Sequence, residues 1–208
     1  MTQAKPHSLL IVISAPSGGG KTTLCNLLLE KFPNVTRAIT CTTRAARDGE
    51  KDGADYYFLD AETFLKRVQA GHFLEHATVF GNSYGTLKSE VVEKLRGGKH
   101  VLLSVDVQGA ATIRHQAETD QELKRSLITV FLAPPSIAAL EQRLKKRGKD
   151  SPSVIEARLK VARHEISQAR HFKYIIQSDS IDHDLHCMIA IIDAEMMKQF
   201  RVQLPSYE

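Results

Sequence analysis

Residues 15–23 read Ala-Pro-Ser-Gly-Gly-Gly-Lys-Thr-Thr and follow the apolar run Leu9-Leu10-Ile11-Val12-Ile13. A buried strand that runs into consecutive glycines and then a lysine has few folds open to it. Gly18, Gly19 and Gly20 permit backbone angles closed to other residues. Successive N–H groups can therefore converge on phosphate oxygens at a helix N-terminus, where the dipole also favours anions. Lys21 supplies a point charge, and Thr22 a hydroxyl suited to magnesium. Leu24, Leu27 and Leu28 continue as a helical stripe, so strand, loop and helix come in the order a phosphate-binding loop requires. The general pattern begins with glycine where this chain has Ala15, and the order of elements outweighs that departure. Ala15, Pro16, Ser17, Gly18, Gly19, Gly20, Lys21, Thr22 and Thr23 form the candidate nucleoside triphosphate site.

A chain of 208 residues is long enough for one full core and too short for two ordinary domains. Hydrophobic content of 42% and charged content of 25% exclude disordered and fibrous classes. The apolar run near the N-terminus has about five residues, too few for a secretory or membrane segment, and a cytoplasmic protein with no membrane partner is expected. Cys25, Cys41 and Cys187 lie far apart with no Cys-x-x-Cys spacing, which reads as reduced packing residues. The net charge of +4 is mild. Its densest basic stretch, Arg143 to Lys149, has no interleaved aromatics for base stacking, so no nucleic-acid partner is expected.

Short apolar runs at His100–Asp106 and Leu127–Leu132 read as strands buried on both faces of a parallel sheet. Helical stripes follow at Ile137, Leu140 and Leu144, then at Ile155, Leu159, Ala162, Ile166 and Ala169, then from Leu185 to Met196. The alternation predicts βαβ units around one sheet. Between residues 37 and 86 it breaks. Strand signals lie at Ala38–Thr43 and Tyr56–Phe58, a short helix at Ala61–Ala70, and two strands with a turn at Gly81-Asn82 over 72–86. An inserted substrate subdomain is predicted there, and a mobile lid around the break at 147–152.

Several separated motifs accompany the loop: Thr42-Thr43-Arg44-Ala45-Ala46-Arg47-Asp48-Gly49-Glu50, Gly53-Ala54-Asp55-Tyr56, Phe73-Leu74-Glu75, Gly81-Asn82-Ser83-Tyr84-Gly85-Thr86, Asp106-Val107-Gln108-Gly109, and Pro134-Pro135-Ser136 ahead of Arg147-Gly148. In this order they resemble the guanylate kinases, from about Leu9 to about Asp179. Ala at the first loop position is common in that family. The resemblance implies a single α/β domain of P-loop NTPase type, with a three-layer parallel sheet core at about 8–36, 98–135 and 172–208. It adds a small β-containing GMP-binding subdomain at about 37–90 and a helical lid at about 136–171. The implied reaction is Mg2+-dependent transfer of the ATP γ-phosphoryl group to GMP or dGMP.

The residue chemistry agrees. Arg44 and Arg47 are planar forks suited to a dianionic phosphate, and the Tyr56 and Tyr84 hydroxyls can donate to its remaining oxygens. By resemblance Glu75 reads the base: guanine offers N1–H and its exocyclic amine as adjacent donors, whereas adenine presents an acceptor at N1 and would leave a carboxylate unpaired. Thr40 and Thr86 match positions that place hydroxyls near the base, with Thr40 replacing the more usual serine. Asp106 serves the guanine side, the magnesium shell or both. The catalytic set implied is Lys21, Arg44, Arg143, Arg147 and Arg158, with Thr22 toward the metal. The family pattern is broken twice: its acidic residue two before Asp106 is Ser104 here, and its Asn-Asp near the last strand is Ser178-Asp179.

Three other readings were open to these residues. A non-catalytic guanylate kinase-like interaction module would lack the intact Gly18–Thr22 loop. A GTPase would carry Asn-Lys-x-Asp, and the only asparagines are Asn26, Asn34 and Asn82. A kinase for AMP or UMP is distinguished by Glu75.

Overall fold

A computed structural model describes residues 8–79, 81–146, 148 and 151–202. Its centre is β1 (Leu10–Ser14), flanked by β7 (His100–Ser104) and β8 (Leu127–Ala133), with β2 (Val35–Arg37) and β9 (Tyr174–Gln177) outside. The order β2-β7-β1-β8-β9 is parallel throughout. All five residues of β1 are buried, as a strand covered on both faces must be. Its side chains alternate between two cores. Ile11 and Ile13, with Leu9 just before the strand, face Leu24, Leu28, Leu185 and Met188 of α1 (Lys21–Lys31) and α8 (Ile181–Met196). Leu10 and Val12 face Val91, Leu95, Ala110 and Ile113 of α3 (Lys88–Arg96) and α4 (Val107–Thr119). Because the strands are parallel, their C-terminal ends share one edge. The phosphate loop, Asp106, Ser136 and Ser178 all follow strand ends there, where ligands of such sheets bind.

The expected insertion is a second, smaller sheet ordered β4 (Tyr57–Phe58), β3 (Thr40–Thr42), β6 (Asn82–Leu87), β5 (Phe73–Val79). Helix α2 (Ala61–Gln69) starts at Asp60, whose side chain accepts the Thr63 N–H at 2.7 Å, and stacks Phe64 on Phe73 with ring centroids 4.5 Å apart. The pairing of β5 with β6 shifts between Phe73 and Glu75. Just there α4 grips β5, the Gln116 amide donating to the Phe73 and Leu74 carbonyls at 2.9 and 3.0 Å. Cys25 and Cys41 are buried, one in the core and one under the small sheet.

Helices α6 (Ile137–Lys146) and α7 (Pro152–Ser167) pack together through Leu140, Leu144, Ile155, Leu159 and Ala162. Ala169, expected to extend that stripe, lies in a 3-10 turn beyond α7. The strand signal at Ala38–Thr43 holds β3 in the small sheet, while β2, which ends at Arg37 in the large sheet, precedes it and was not read from the sequence. Helices α3, α4 and α5 (Gln121–Ser126) were not read from the sequence. Gly109 and the threonines of α4 dilute its helical signal. Behind α8, Glu195 is fully buried and receives hydrogen bonds from Tyr174 at 2.6 Å and Lys198 at 2.8 Å, with Lys173 at 2.7 Å. Burial would raise its pKa, but those partners win and hold it at about 2.

Candidate active site

The loop from β1 to α1 takes its shape from Gly18 and Gly20, with φ of +88° and +95°. No side chain caps α1, so its first N–H groups are left for a ligand. Residues 15–23 line a cavity of about 360 Å³ together with Glu165 of α7. The Lys21 ammonium donates to the Val105 carbonyl at 3.0 Å, tying the loop to the end of β7. Burial draws its pKa below the usual lysine value, against the opposing pull of Cys25, Glu165 and Asp106. Helix α7 touches Ser17 at two points seven residues apart. Arg158 Nη1 donates to Ser17 Oγ at 3.4 Å, and the Glu165 carboxylate faces the Ser17 backbone N–H. Glu165 Oε2 has no hydrogen-bond partner in the structure, and burial pushes its carboxyl pKa up despite Ser17 and Lys21.

On one side of the loop a cleft of about 460 Å³ opens between the two sheets, with Thr22, Thr40, Tyr56, Tyr84 and Asp106 among its lining residues. At its base Glu75, 8% exposed, accepts the Thr86 hydroxyl on Oε1 at 2.7 Å. Thr86 is set by its pairing with Thr40 across β3 and β6. Asp106 uses Oδ1 to cap α4 through the Gly109 N–H at 2.8 Å, so its other oxygen is what a ligand could use. A side chain at position 109 would stand 3.3 Å from Glu75 Oε2, so glycine there keeps the carboxylate's place open. Burial, with Asp106 nearby, raises the Glu75 pKa, while the Thr86 hydrogen bond lowers it. At the other end the Arg44 guanidinium lies 5.4 Å from the Tyr56 ring centroid, and the Glu50 carboxylate accepts its Nη2 at 2.8 and 3.0 Å.

A glycine-rich loop beside a cleft lined by a buried carboxylate and two tyrosines, with Arg44 over one of them, is the arrangement expected from the resemblance. The guanylate kinase family profile matches residues 7–195. The chain belongs to the guanylate kinase family. Among relatives of that name, one from Thiobacillus denitrificans is 42% identical over 192 residues, covering 92% of this chain and 88% of the relative. Another, from Paramagnetospirillum magneticum, is 41% identical over 202 residues, covering 97% and 92%. A crystal structure of guanylate kinase from Anaplasma phagocytophilum superposes with a TM-score of 0.70 at 34% identity, covering 95% of this chain and 90% of that one.

Most of the residues expected from the guanylate kinase pattern come together. Thr40, Tyr56, Glu75, Tyr84, Thr86 and Asp106 line the one cleft, and Ala15 to Thr23 line the loop cavity. Arg44 and Arg47 do not line the cleft; Arg44 lies over Tyr56, which does, and Arg47 is exposed nearby with its N–H on Glu50. Arg158 reaches the loop. Arg143 lines a third cleft, of about 320 Å³, against Gly18, Gly20 and Thr23. Arg147 lies outside the described residues. Sequence reasoning passed over Glu50, Glu165 and Asp184. Glu165 was findable in principle, since it sits two helical turns from Arg158 and so shares its face. Asp184 and Glu50 gave no signal of their own.

Among the described residues no three His, Cys, Asp or Glu side chains cluster for a metal ion, and no helix is long and apolar enough to cross a membrane. Magnesium in a kinase site takes one or two protein groups plus substrate phosphates and water. Thr22, which lines both the loop cavity and the cleft between the sheets, fits that demand.

Proposed function

We propose that this guanylate kinase transfers the γ-phosphoryl group of Mg2+-bound ATP to GMP or dGMP, giving ADP and GDP or dGDP, in the cytoplasm and in purine nucleotide recycling. The observation that carries the reading is Glu75, buried and aligned by Thr86 in the cleft that adjoins the phosphate loop through Thr22. One carboxylate there can accept guanine N1–H and N2–H together. The monophosphate lies at the opposite end, held by Arg44, Arg47, Tyr56 and Tyr84, with Glu50 orienting Arg44. The recognised groups are base and phosphate, so the deoxy sugar is accepted.

A phosphomonoester with a second pKa of about 6 is already a nucleophilic anion near neutral pH, so no general base is required. Catalysis is positioning and charge neutralisation. Lys21, held by Val105, meets the donor phosphates, and Arg143, Arg147 and Arg158 close on them from the α6–α7 lid. Arg44 holds the acceptor from the other side. Thr22 and the free oxygen of Asp106 would hold the metal ion and its water. The metal, when bound, would supply neutralisation of the charge on the donor phosphates. The division into core, GMP-binding subdomain at about 37–90 and lid at about 136–171 follows from these roles.

The test is ADP release from Mg-ATP with GMP, dGMP, AMP, UMP and CMP offered separately. Turnover with GMP and dGMP alone is expected. Equal turnover with AMP would overturn the role of Glu75, and no acceptor-dependent turnover would overturn the catalytic reading.

A further inference from the structure

The third cleft lies across the phosphate loop from the acceptor cleft. Gly18, Gly20 and Thr23 form one wall, and the C-terminal end of β9 with the start of α8 forms the other. A triphosphate seated in the loop, with the acceptor cleft occupied, has this cleft for its nucleoside, a placement that rests on the function proposed above. At its β9 end the Ser178 and Asp184 side chains are paired with each other. Ser178, 2% exposed, donates its hydroxyl proton to Asp184 Oδ2 at 2.8 Å, and Asp184, 3% exposed, also faces the Asp179 N–H through Oδ1 at 3.3 Å. A serine hydroxyl has one proton and two lone pairs. With the proton committed to a buried carboxylate, Ser178 Oγ has only acceptor capacity left for a ligand.

We infer that the Ser178–Asp184 pair sets donor-base specificity, selecting a purine with a 6-amino group over one with a 6-oxo group. The amine of adenine donates to such an oxygen. The 6-oxo group of hypoxanthine or guanine would set acceptor against acceptor at a buried hydroxyl. One unpaired buried polar group of that kind lowers binding about 10- to 100-fold. This chain has serine where the family has asparagine, whose amide offers both a donor and an acceptor. Here the polarity of position 178 is instead imposed by its neighbour on α8, six residues along. Asp184 is thus a positioning residue that acts through Ser178.

The experiment is titration calorimetry of the full chain with ATP, ITP and purine riboside triphosphate, without GMP and without turnover, followed by kcat/KM for ATP and ITP at saturating GMP. The wild type should bind ATP about 10- to 100-fold more tightly than ITP and about 10-fold more tightly than the purine riboside, which lacks the amine without added bulk. Ser178→Ala should bring the ATP:ITP ratio near unity. Asp184→Asn frees the hydroxyl proton and should raise ITP binding outright, a gain that simple loss of structure would not produce. Both variants should keep the wild-type KM for GMP. Equal wild-type affinity for the three nucleotides, or an unchanged ATP:ITP ratio in a folded Ser178→Ala variant, would overturn the inference. A protein inert toward GMP would instead defeat the proposed reaction and leave the donor affinities to be read directly.

Discussion

Replacing Glu75 by glutamine should separate function from stability in opposite directions. The carboxylate offers two oxygens to guanine N1–H and N2–H, and hydrogen bonds to a charged group contribute about 1.5–3 kcal/mol each. Glutamine keeps one acceptor and turns an NH2 donor toward a guanine donor. The expected loss is about 3 kcal/mol, or about 100-fold in kcat/KM for GMP, with the KM for ATP nearly unchanged. Stability moves the other way. Burial raises the Glu75 pKa, the Thr86 hydroxyl lowers it, and Asp106 raises it further. A carboxyl whose folded pKa lies above its unfolded value contributes stability at low pH and loses it as pH rises through the folded value. Glu75→Gln removes that loss, so the variant should melt as high as wild type at pH 8 or somewhat higher. The KM of the wild type for GMP should rise as pH falls through the raised Glu75 pKa, more steeply than in the variant, where only the GMP phosphate with its second pKa of about 6 still titrates. Coupled ADP-release assays with GMP and AMP, with melting curves at pH 5 and 8, read all of this. An unchanged GMP:AMP ratio, or a melting point several degrees lower at pH 8, would refute the reasoning.

Three further outcomes are expected. Lys21→Ala should lower kcat by about 1,000-fold, as loss of a charge-stabilising donor does, while the melting temperature stays within a few degrees of wild type; steady-state rates and calorimetry check both. Gly18→Ala places a Cβ 3.0 Å from Leu144 Cδ2 at a residue with φ of +88°. Left-handed strain of about 1–2 kcal/mol and displacement of α6 should raise the KM for ATP and leave that for GMP alone. Glu195, held at about 2 against burial by Lys173, Lys198 and Tyr174, should contribute about 3 kcal/mol above its unfolded pKa. That contribution is lost as pH falls toward 2. Urea unfolding of Glu195→Gln should therefore be weaker than wild type at pH 7 and converge with it near pH 2.

The loop, the two central strands and the hairpin over 72–86 were legible because each is local: glycine φ freedom, an unbroken apolar run, and a turn at Gly81 with φ of +79°. That Thr40, Tyr56, Glu75, Tyr84, Thr86 and Asp106 share one cleft was legible through ordered motifs. What stayed hidden depends on distant partners. Helix α4 is defined by what it packs against, and Gly109 weakens its local signal because the Glu75 carboxylate needs the space. The division at Ala38, where the chain leaves one sheet for another, follows from pairing partners at residues 82–87 and 100–104. Glu165 and Asp184 look like ordinary solvated helix residues until the loop and β9 are placed beside them.

The grip of Gln116 on β5 bears on the order in which a substrate is recognised. Its two hydrogen bonds end at the carbonyls of Phe73 and Leu74, immediately before Glu75, while Arg44, Tyr56 and Tyr84 lie farther along the small sheet. If that sheet swings over a bound nucleotide, the axis runs close to the core helix that holds β5, so the Glu75 carboxylate barely travels and the end that carries Arg44, Tyr56 and Tyr84 sweeps the arc. With the roles proposed above, identity is checked against a stationary group before the moving one arrives, and a mismatched nucleotide can leave while the door is still open.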